Sequence, residues 1–306
     1  MKDYPKRIQI TEVGPRDGLQ NQSTTISTQT KIALVNALSQ TGLQRIETSA
    51  FVHPSWIPQL ADADEVFNGI KRNEKVLYTA LVPNERGWIR ALEASVDEIA
   101  VLTAVSETFC MKNTNGSIED SIHRLEPIVK AASTRGIRVR GYISCVIACP
   151  YEGETDLIAV RHLTERLLDI GIDDIVFGET IGVAVPKDIC RLYDAVDGVI
   201  SPEDSILHLH DTRGTALVCA AEAMRCGVFQ FDASCGGLGG CPYAVGAAGN
   251  IATEDLVYFA QRMGIETGVD LEALIAASSI IEAALHTPLR SRGYRAFQDL
   301  QTLPSE

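Results

Sequence analysis

The amino-acid sequence predicts an α/β fold, a (β/α)8 TIM barrel of parallel strands with a C-terminal helical extension. The chain has 306 residues, which suits one such barrel of roughly 250 residues plus an extension. Short β-branched runs alternate with helical stretches at intervals of about 25–35 residues. Eight such units fit a closed barrel better than an open doubly wound sheet, which usually has about five or six strands.

Eight apolar, often β-branched runs are the predicted strands. They are Arg7–Val13, Arg45–Phe51, Val76–Val82, Glu98–Thr103, Arg138–Cys145, Asp174–Gly178, Ile206–His210 and Gln230–Ser234. Because helical segments separate the strands, each strand is re-entered through a crossover, so the sheet is predicted to be parallel. Several connections carry a glycine that predicts a helix stop, namely Gly42, Gly136, Gly171 and Gly227.

Apolar residues at helical spacing predict helices between most of these strands. They are Thr28–Leu38, Glu85–Ala94, Ser117–Ala131, Thr155–Leu168 and Thr215–Met224. Ser117 followed by Asp120 has the spacing of a capping box, which marks a helix start. No Pro-, Ser- or Gly-rich linker divides the chain, so residues 1–306 are expected to form one domain with the barrel at about 7–255. Residues from about 256 to 306 have helical composition and are expected to cap the barrel or to form a dimer contact.

The composition argues against several classes of partner. The formal net charge of −13 would repel nucleic acid and anionic membranes. The eight cysteines show no paired framework, and the first residues lack the apolar run of a signal peptide. No segment approaches the roughly 18 uninterrupted apolar residues of a membrane span. We therefore expect a cytoplasmic protein with reduced thiols.

Polar residues that end the predicted strands are candidates for chemistry, because barrel enzymes place their active sites at the carboxyl ends of the strands. Arg16 and Asp17 follow the first strand in a Pro/Gly turn, where they form either a functional pair or a local ion pair. His208 and His210 end the seventh strand, and alternate residues of a strand face the same side. Two such imidazoles among six histidines favour a transition-metal or Mg²⁺/Mn²⁺ site over hydrogen-bonded core histidines.

The segment after the eighth strand is rich in glycine, with four glycines between positions 236 and 240. Such a backbone can approach a ligand closely or move as a lid. Its spacing fits neither a dinucleotide-binding nor a Walker-type loop. Cys241 in this loop is either an incidental thiol or a proton donor that arrives when substrate is bound.

Several stretches of the chain together match a known pattern. They are residues 12–20 (EVGPRDGLQ), 47–52 (ETSAFV), 81–84 (LVPN), 144–145, 149–153, 180–182, 208–212 (HLHDT), 237–244 (GLGGCPYA) and 249–256 (GNIATEDL). With these motifs the chain resembles the 3-hydroxy-3-methylglutaryl-CoA lyase family, within the wider group of metal-dependent barrel lyases and acyl-CoA condensing enzymes. The resemblance runs from about Ile8 to Tyr258. The glycine loop is specific to this family, whereas the Arg-Asp-Gly turn and the paired histidines belong to the wider group.

The resemblance implies a cofactor, a substrate and a reaction. One Mg²⁺ or Mn²⁺ would be held by Asp17, His208, His210 and Asn250. The substrate would be an acyl-CoA, cleaved by retro-Claisen chemistry to acetyl-CoA and acetoacetate. The resemblance also implies a homodimer.

The resemblance further assigns roles to individual side chains. Arg16 would stabilise the charge that develops on the thioester oxygen, and Cys241 would protonate the enolate carbon. His208 is also the implied proton-transfer residue, but a metal-bound imidazole is a poor base, so the general base stays open. Glu47 is expected near the reacting groups, and Gln20 is expected to orient the substrate.

The sequence departs from the family pattern at three places, and the first two bear on the substrate. Glu179, followed by Thr180, stands where the family often has aspartate, and Arg213 stands where it often has tyrosine. We predict that Glu179, Thr180 and Arg213 contact the substrate, since an added methylene or cation changes its orientation. The third departure, Cys235, adds a thiol that is able to pair with Cys241 in a disulfide if geometry allows.

Other functions stay open at this stage. A related substrate, citramalyl-CoA or a longer 3-branched 3-hydroxyglutaryl-CoA, would use the same site. An acetyl-CoA condensing synthase is disfavoured by the cysteine of the glycine loop and by the lack of a C-terminal regulatory domain. A non-catalytic binding barrel is disfavoured by the complete set of candidate site residues, and a Schiff-base aldolase by the absence of a lysine at a strand end.

Overall fold

Eight parallel strands close into a barrel in the computed structural model, which describes residues 3–240 and 249–301. The strands are β1 (Gln9–Glu12), β2 (Arg45–Ala50), β3 (Leu77–Leu81), β4 (Glu98–Ala104), β5 (Arg138–Ser144), β6 (Asp174–Glu179), β7 (Ser205–Leu209) and β8 (Gln230–Ala233). Each strand pairs with its neighbours in chain order, and β8 pairs with β1 to close the barrel. The predicted fold class is confirmed, and each predicted strand overlaps an observed one.

Helices form the outer layer of the barrel. They are α1 (Thr28–Leu38), α2 (Ala63–Gly69), α3 (Glu85–Glu93), α4 (Glu107–Thr114), α5 (Ile118–Thr134), α6 (Leu157–Asp169), α7 (Pro186–Val196) and α8 (Ala216–Cys226). Helices α2, α4 and α7 were not predicted from the sequence. Helix α2 has seven residues and α4 has eight, which is too short to show a clear periodic pattern.

Local sequence signals set the ends of several helices. The predicted capping box of α5 is present, since the Ser117 hydroxyl accepts from the Asp120 N–H and the Asp120 carboxylate accepts from the Ser117 N–H. The predicted helix-stop glycines all have positive φ angles, for example +114° at Gly227. A Cβ atom on Gly42 would lie 2.1 Å from the carbonyl oxygen of Gly268, so this turn excludes any side chain.

Three further helices follow the last strand: α9 (Thr253–Arg262), α10 (Leu271–Leu285) and α11 (Arg292–Gln301). Helix α10 packs against α1 and α9, so this segment completes the outer helical layer of the barrel. The Asp270 N–H donates to the Thr41 carbonyl at 2.7 Å, which ties the start of α10 to the end of α1. The dimer contact expected for this segment stays a prediction.

Apolar residues fill the shell between strands and helices, and a separate apolar cluster lies inside the barrel. The interior cluster contains small and branched side chains such as Ala100, Val176 and Ile206. Buried polar side chains at the carboxyl ends of the strands, among them His208 and Glu47, form the candidate site. Within the described residues, no helix combines the length and apolar character needed to cross a membrane.

Candidate active site

The first strand ends in a single π-helical turn, Gly14–Gly18, which carries Arg16 and Asp17. Its defining hydrogen bond runs from the Gly18 N–H to the Val13 carbonyl at 3.1 Å. A Cβ atom on Gly14 would lie 2.6 Å from the Glu12 carboxylate, so only glycine fits where the chain leaves the strand. Isolated π turns of this kind occur frequently at functional sites. The sequence analysis identified the turn but not its π-helical form.

Asp17, His208 and His210 bring their side-chain donors together at the barrel mouth. One donor atom from each lies within 4.8 Å of the others. His208 and His210 lie side by side with ring centroids 5.3 Å apart, as the strand alternation predicts. Both imidazoles are 7% exposed. The structure therefore assembles three of the four predicted metal ligands into one compact group.

Asn250, the fourth predicted ligand, enters from the segment that follows the glycine loop. Its Nδ2 donates to Asp17 Oδ2 at 2.7 Å, and its backbone forms a bridge with that of His210. Within the described residues, neither Asn250 Oδ1 nor His210 Nδ1 has a hydrogen-bond partner, although both atoms are buried. Buried polar atoms without partners are costly, and a bound cation would provide one. The oxygen and imidazole donors suit Mg²⁺ or Mn²⁺.

Arg16 is held in place between two carboxylates. Its Nε donates to Glu47 Oε1 at 2.6 Å, and its Nη1 donates to Asp17 Oδ1 at 2.7 Å. Burial acts to lower the pKa of Arg16, but Glu47 and Asp17 outweigh it and raise the pKa above its ordinary value. Burial also acts to raise the pKa of Asp17, and Arg16 then lowers it below its ordinary value. The site thus contains a fixed cation beside a fixed carboxylate.

Beneath this group lies a buried network that the sequence analysis missed. His208 Nδ1 lies 3.2 Å from Asp232 Oδ2, and Asp232 also accepts from Arg140 Nη2 at 2.5 Å. The Tyr142 hydroxyl lies between two carboxylates, 2.6 Å from Glu47 Oε2 and 2.9 Å from Asp232 Oδ2. All of these side chains lie inside the barrel. The network links the arginine side of the site to its histidine side.

The two histidines have opposite pKa shifts because their neighbours differ. Burial acts to lower the pKa of His208, but its hydrogen bond to Asp232 raises that pKa above its ordinary value. Burial and the adjacent His208 lower the pKa of His210 to about 4. His208 Nδ1 therefore serves as the donor to Asp232, and His210 is neutral at physiological pH.

The predicted substrate-contacting residues separate into two groups. Gln20 and Thr180 line the cavity at the barrel mouth. Glu179 and Arg213 do not line it, because their polar groups bind the turn after β6. Glu179 Oε1 accepts from the Val183 N–H at 3.0 Å, and Arg213 Nη1 donates to the Ile181 and Gly182 carbonyls at 3.1 and 3.0 Å.

Cys241 lies outside the described residues, as does the rest of 241–248, so its predicted position relative to the site stays a prediction. Cys235 is described and fully buried. Burial first, and then Glu12, raise the pKa of its thiol well above the ordinary value. This thiol faces the interior, between the end of β1 and the turn that follows β8.

The cavity at the barrel mouth has a volume of about 490 Å³ and contains the Asp17, His208 and His210 group. Its lining includes several apolar residues, namely Val52, Trp56, Ile57, Leu81, Leu102, Phe109 and Leu125. A second cavity of about 810 Å³ shares Val52, His53, Asn84 and Arg124 with it. The shared residues make the second cavity an extension of the first toward the surface.

The fold and the site define a (β/α)8-barrel protein with a candidate divalent-metal centre at the carboxyl ends of its strands. The chain belongs to the HMGL-like family, whose model matches residues 7–281. The family resemblance read from the motifs is thereby confirmed.

Three relatives illustrate the similarity. Hydroxymethylglutaryl-CoA lyase of Bacillus subtilis is 45% identical over 96% of this chain and 99% of that protein. A 3-hydroxy-3-isohexenylglutaryl-CoA/hydroxymethylglutaryl-CoA lyase of Pseudomonas aeruginosa is 45% identical over 96% of this chain and 98% of that protein. A solved HMG-CoA lyase of Acinetobacter baumannii, in complex with coenzyme A and 3-methylmalate, is 38% identical with a TM-score of 0.93 and full coverage of both chains (100% each).

Proposed function

We propose that this chain is a divalent-metal-dependent carbon–carbon lyase that cleaves 3-hydroxy-3-methylglutaryl-CoA to acetyl-CoA and acetoacetate. The observation that carries the proposal is the grouping of Asp17, His208 and His210 within 4.8 Å, in one cavity with the Arg16 guanidinium. The predicted enzyme class is confirmed by the family and by full-length relatives that are hydroxymethylglutaryl-CoA lyases.

One Mg²⁺ or Mn²⁺ would be held by Asp17, His208, His210 and Asn250. When bound, the cation would polarise the C3 hydroxyl and the neighbouring carboxylate of the substrate. His210 Nδ1 and Asn250 Oδ1, which are buried and have no hydrogen-bond partner among the described residues, support this ligand set. The hydrogen bond to Asp232 places the proton of His208 on Nδ1. The lone pair of Nε2, which lies 4.0 Å from Asp17 Oδ2, is then available to bind the cation.

Arg16 would stabilise the transition state of carbon–carbon cleavage. The hydroxyl proton passes to a base, the C2–C3 bond breaks, and its electron pair moves onto the thioester as an enolate. Glu47 and Asp17 hold the guanidinium in place before substrate binds, so its charge is preorganised for the enolate oxygen. Cys241 would then donate a proton to the enolate carbon, which completes acetyl-CoA.

The base that takes the hydroxyl proton has two chemically distinct assignments. His208 is the residue that the resemblance implies, and its Nε2 is its one ring nitrogen not engaged by Asp232. That nitrogen can bind a cation or accept a proton, but not both at once. If His208 is a ligand throughout turnover, the proton passes instead to another group in the cavity or to water.

The coenzyme A moiety is proposed to extend into the second cavity. Arg86, Arg90 and Arg124 line this cavity together with His123, whereas Glu85 is its acidic lining residue. Such a cluster of cations is notable in a chain of net charge −13, and it suits the phosphates of coenzyme A. The Acinetobacter baumannii relative, solved with coenzyme A, supports an acyl-CoA substrate.

A second candidate substrate is a longer 3-branched 3-hydroxyglutaryl-CoA. The apolar residues that line the cavity, among them Leu81, Leu102 and Trp56, offer a surface for an aliphatic branch. The Pseudomonas aeruginosa relative, named for both an isohexenyl and a methyl substrate, supports the same possibility.

The experiment that tests the proposal is a coupled assay of acetyl-CoA release. EDTA-treated protein is assayed with 3-hydroxy-3-methylglutaryl-CoA, with citramalyl-CoA and with a long-branched analogue, before and after Mg²⁺ or Mn²⁺ is restored. We expect metal-dependent turnover of the first substrate. If only one of the other substrates is cleaved, the proposed lyase chemistry stands and the proposed substrate is wrong. Full activity after verified metal removal, or cleavage of none of the three, would reject the proposal.

We also propose that the enzyme acts as a homodimer in the cytoplasm. No disulfide joins any two of the seven cysteines that the structure describes. Light scattering of the purified protein tests the dimer, since a monomeric mass at micromolar concentration would exclude it.

A further inference from the structure

A group of two thiols and a carboxylate lies on the outer layer of the barrel, away from the mouth. Cys190 belongs to α7, whereas Glu222 and Cys226 lie one turn apart on the adjacent α8. Residues four positions apart share one helix face, so Glu222 and Cys226 both face Cys190. One donor atom from each residue lies within 4.8 Å of the others, and all three residues are partly exposed. Neither the family resemblance nor the proposed lyase reaction uses any of them.

The contacts within this group define which atoms converge. The Cys190 thiol donates to Glu222 Oε1 at 3.3 Å. The other carboxylate oxygen, Oε2, lies 3.8 Å from Arg225 Nη1, so Oε1 is the oxygen directed at the Cys190 thiol. Burial and the Glu222 carboxylate raise the pKa of Cys190 to about 12, so without a cation the thiol keeps its proton.

The spacing of these donors fits a tetrahedral ion. With Zn–S bonds of about 2.3 Å and Zn–O bonds of about 2.0–2.2 Å, tetrahedral geometry places neighbouring donors roughly 3.5 Å apart. The observed 3.3 Å between sulfur and oxygen is already close to that value. Small side-chain rotations bring the third donor, within 4.8 Å, to the same distance. Because the group is partly exposed, water has access to the fourth position.

We propose that Cys190, Cys226 and Glu222 form a second metal site, which binds a thiophilic divalent cation of the Zn²⁺ class through two thiolates, one carboxylate and a water. On binding, each thiol loses its proton to the solvent, and two metal–sulfur bonds form without any change in oxidation state. The donors differ in kind from those of the barrel mouth, where described ligands offer oxygen and nitrogen. The ion would link α7 to α8 and stabilise the folded chain in proportion to its occupancy.

Cobalt(II) provides a direct test, because thiolate ligands give it an intense near-ultraviolet charge-transfer absorption that oxygen and nitrogen ligands do not. The full chain, kept reduced and saturated with Mg²⁺, is titrated with Co²⁺ and then with Zn²⁺. We expect the absorption to appear with wild-type protein and to disappear when Zn²⁺ displaces Co²⁺. Absence of the absorption at excess Co²⁺ would overturn the proposal.

Variants assign the signal to this site. Cys190→Ser and Cys226→Ser are each expected to abolish the absorption, and Glu222→Gln to weaken Zn²⁺ binding by at least about tenfold. Cys219→Ser is the matched control, since Cys219 lies on the same helix with its thiol bound to the Ala184 carbonyl instead. If the absorption survives in both serine variants at Cys190 and Cys226, the thiolates come from elsewhere and the site is rejected. If a serine variant fails to fold, Glu222→Gln still decides through Zn²⁺ affinity, and unchanged affinity would overturn the proposal.

Discussion

At the scale of single residues, His208 is the side chain whose two ring nitrogens face different partners. Nδ1 lies 3.2 Å from Asp232, and Nε2 lies 4.0 Å from Asp17. A carboxylate behind a metal-binding imidazole fixes its tautomer and its orientation. Asp232 is itself held by Arg140, so the orientation of the histidine depends on a buried ion pair.

Replacing Asp232 by asparagine is therefore expected to weaken Mn²⁺ binding by about 10–100-fold, the loss usual for groups that orient metal ligands. The metal-free variant is titrated with Mn²⁺, and binding is monitored by electron paramagnetic resonance. Asp174→Asn is the matched control, because Asp174 is also buried and arginine-paired but lies at the opposite end of the strands. Equal affinities of the Asp232 variant and the wild type would refute the orienting role.

Cys241 carries the second prediction at this scale. If its thiol protonates the enolate carbon, Cys241→Ser should lower kcat by at least about 100-fold, the usual lower limit for loss of general acid catalysis. Mn²⁺ affinity should stay near that of the wild type, because Cys241 is not among the proposed ligands. Single-turnover assays and Mn²⁺ titration check the two expectations, and a variant that keeps most of its kcat would remove the proton-donor role.

Some residues of the site could be predicted from the sequence, and others could not. Asp17, His208 and His210 were predictable because polar residues at strand ends of a barrel point to its active site. Asp232 and Tyr142 lie within strands, where a polar residue faces either the interior or the helices. Parallel register pairs Asp232 with His208 across neighbouring strands, and this pairing is visible only once the strands are aligned.

At the scale of elements, the turn after β6 connects the candidate site to the outer layer. Glu179 binds the backbone N–H of Val183, and Arg213 binds two carbonyls of the same turn. Thr180, the residue after Glu179, accepts from the Cys145 N–H at 2.8 Å and lines the cavity. Glu179 and Arg213 thus hold this turn, and we propose that they influence the substrate indirectly, through the position of Thr180.

Glu179→Asp is expected to change the ranking of acyl-CoA substrates more than the affinity for metal. Aspartate is shorter by one methylene and loses its reach to the turn, so the turn and Thr180 shift. The measurement is kcat/KM for the methyl and the long-branched substrates, together with Mn²⁺ affinity. Arg213→Lys serves as a comparison that loosens the same turn from its other side. An unchanged ranking in both variants would leave this turn without a role in specificity.

Of the elements that were not predicted, some have a periodic sequence pattern and others do not. Helix α7 was predictable, because Ile189, Leu192, Tyr193 and Val196 form a buried face at helical spacing. The π turn after β1 was not, because a single wide turn leaves no periodic pattern in five residues. Its two glycines and proline indicate a turn but do not distinguish its type.

At the scale of the whole molecule, Glu12 joins three parts of the barrel. Its carboxylate accepts from the Gly14 N–H at 2.7 Å, the Cys235 N–H at 2.8 Å and the Thr253 hydroxyl at 2.7 Å. These partners lie after β1, after β8 and at the start of α9. Glu12 therefore contributes a buried carboxyl group where the barrel closes. The number of strands predicts the closure, but the strand pattern does not predict the position of this group.

The pH dependence of unfolding provides the last prediction. Burial, opposed by the three hydrogen bonds, raises the pKa of Glu12 from 4.5 to about 8. Between those values the folded state holds the proton and the unfolded state does not, so stability falls as pH rises through this window. The side chain of the Glu12→Gln variant cannot titrate, so its unfolding free energy should fall less steeply with pH than that of the wild type. The two slopes should differ by about 1 kcal/mol per pH unit. Urea unfolding of both proteins between pH 5 and 8 measures the two slopes. EDTA is present so that metal binding does not contribute to the pH dependence. If the two slopes coincide, Glu12 is ionised in the folded protein, and its three hydrogen bonds outweigh the cost of burial.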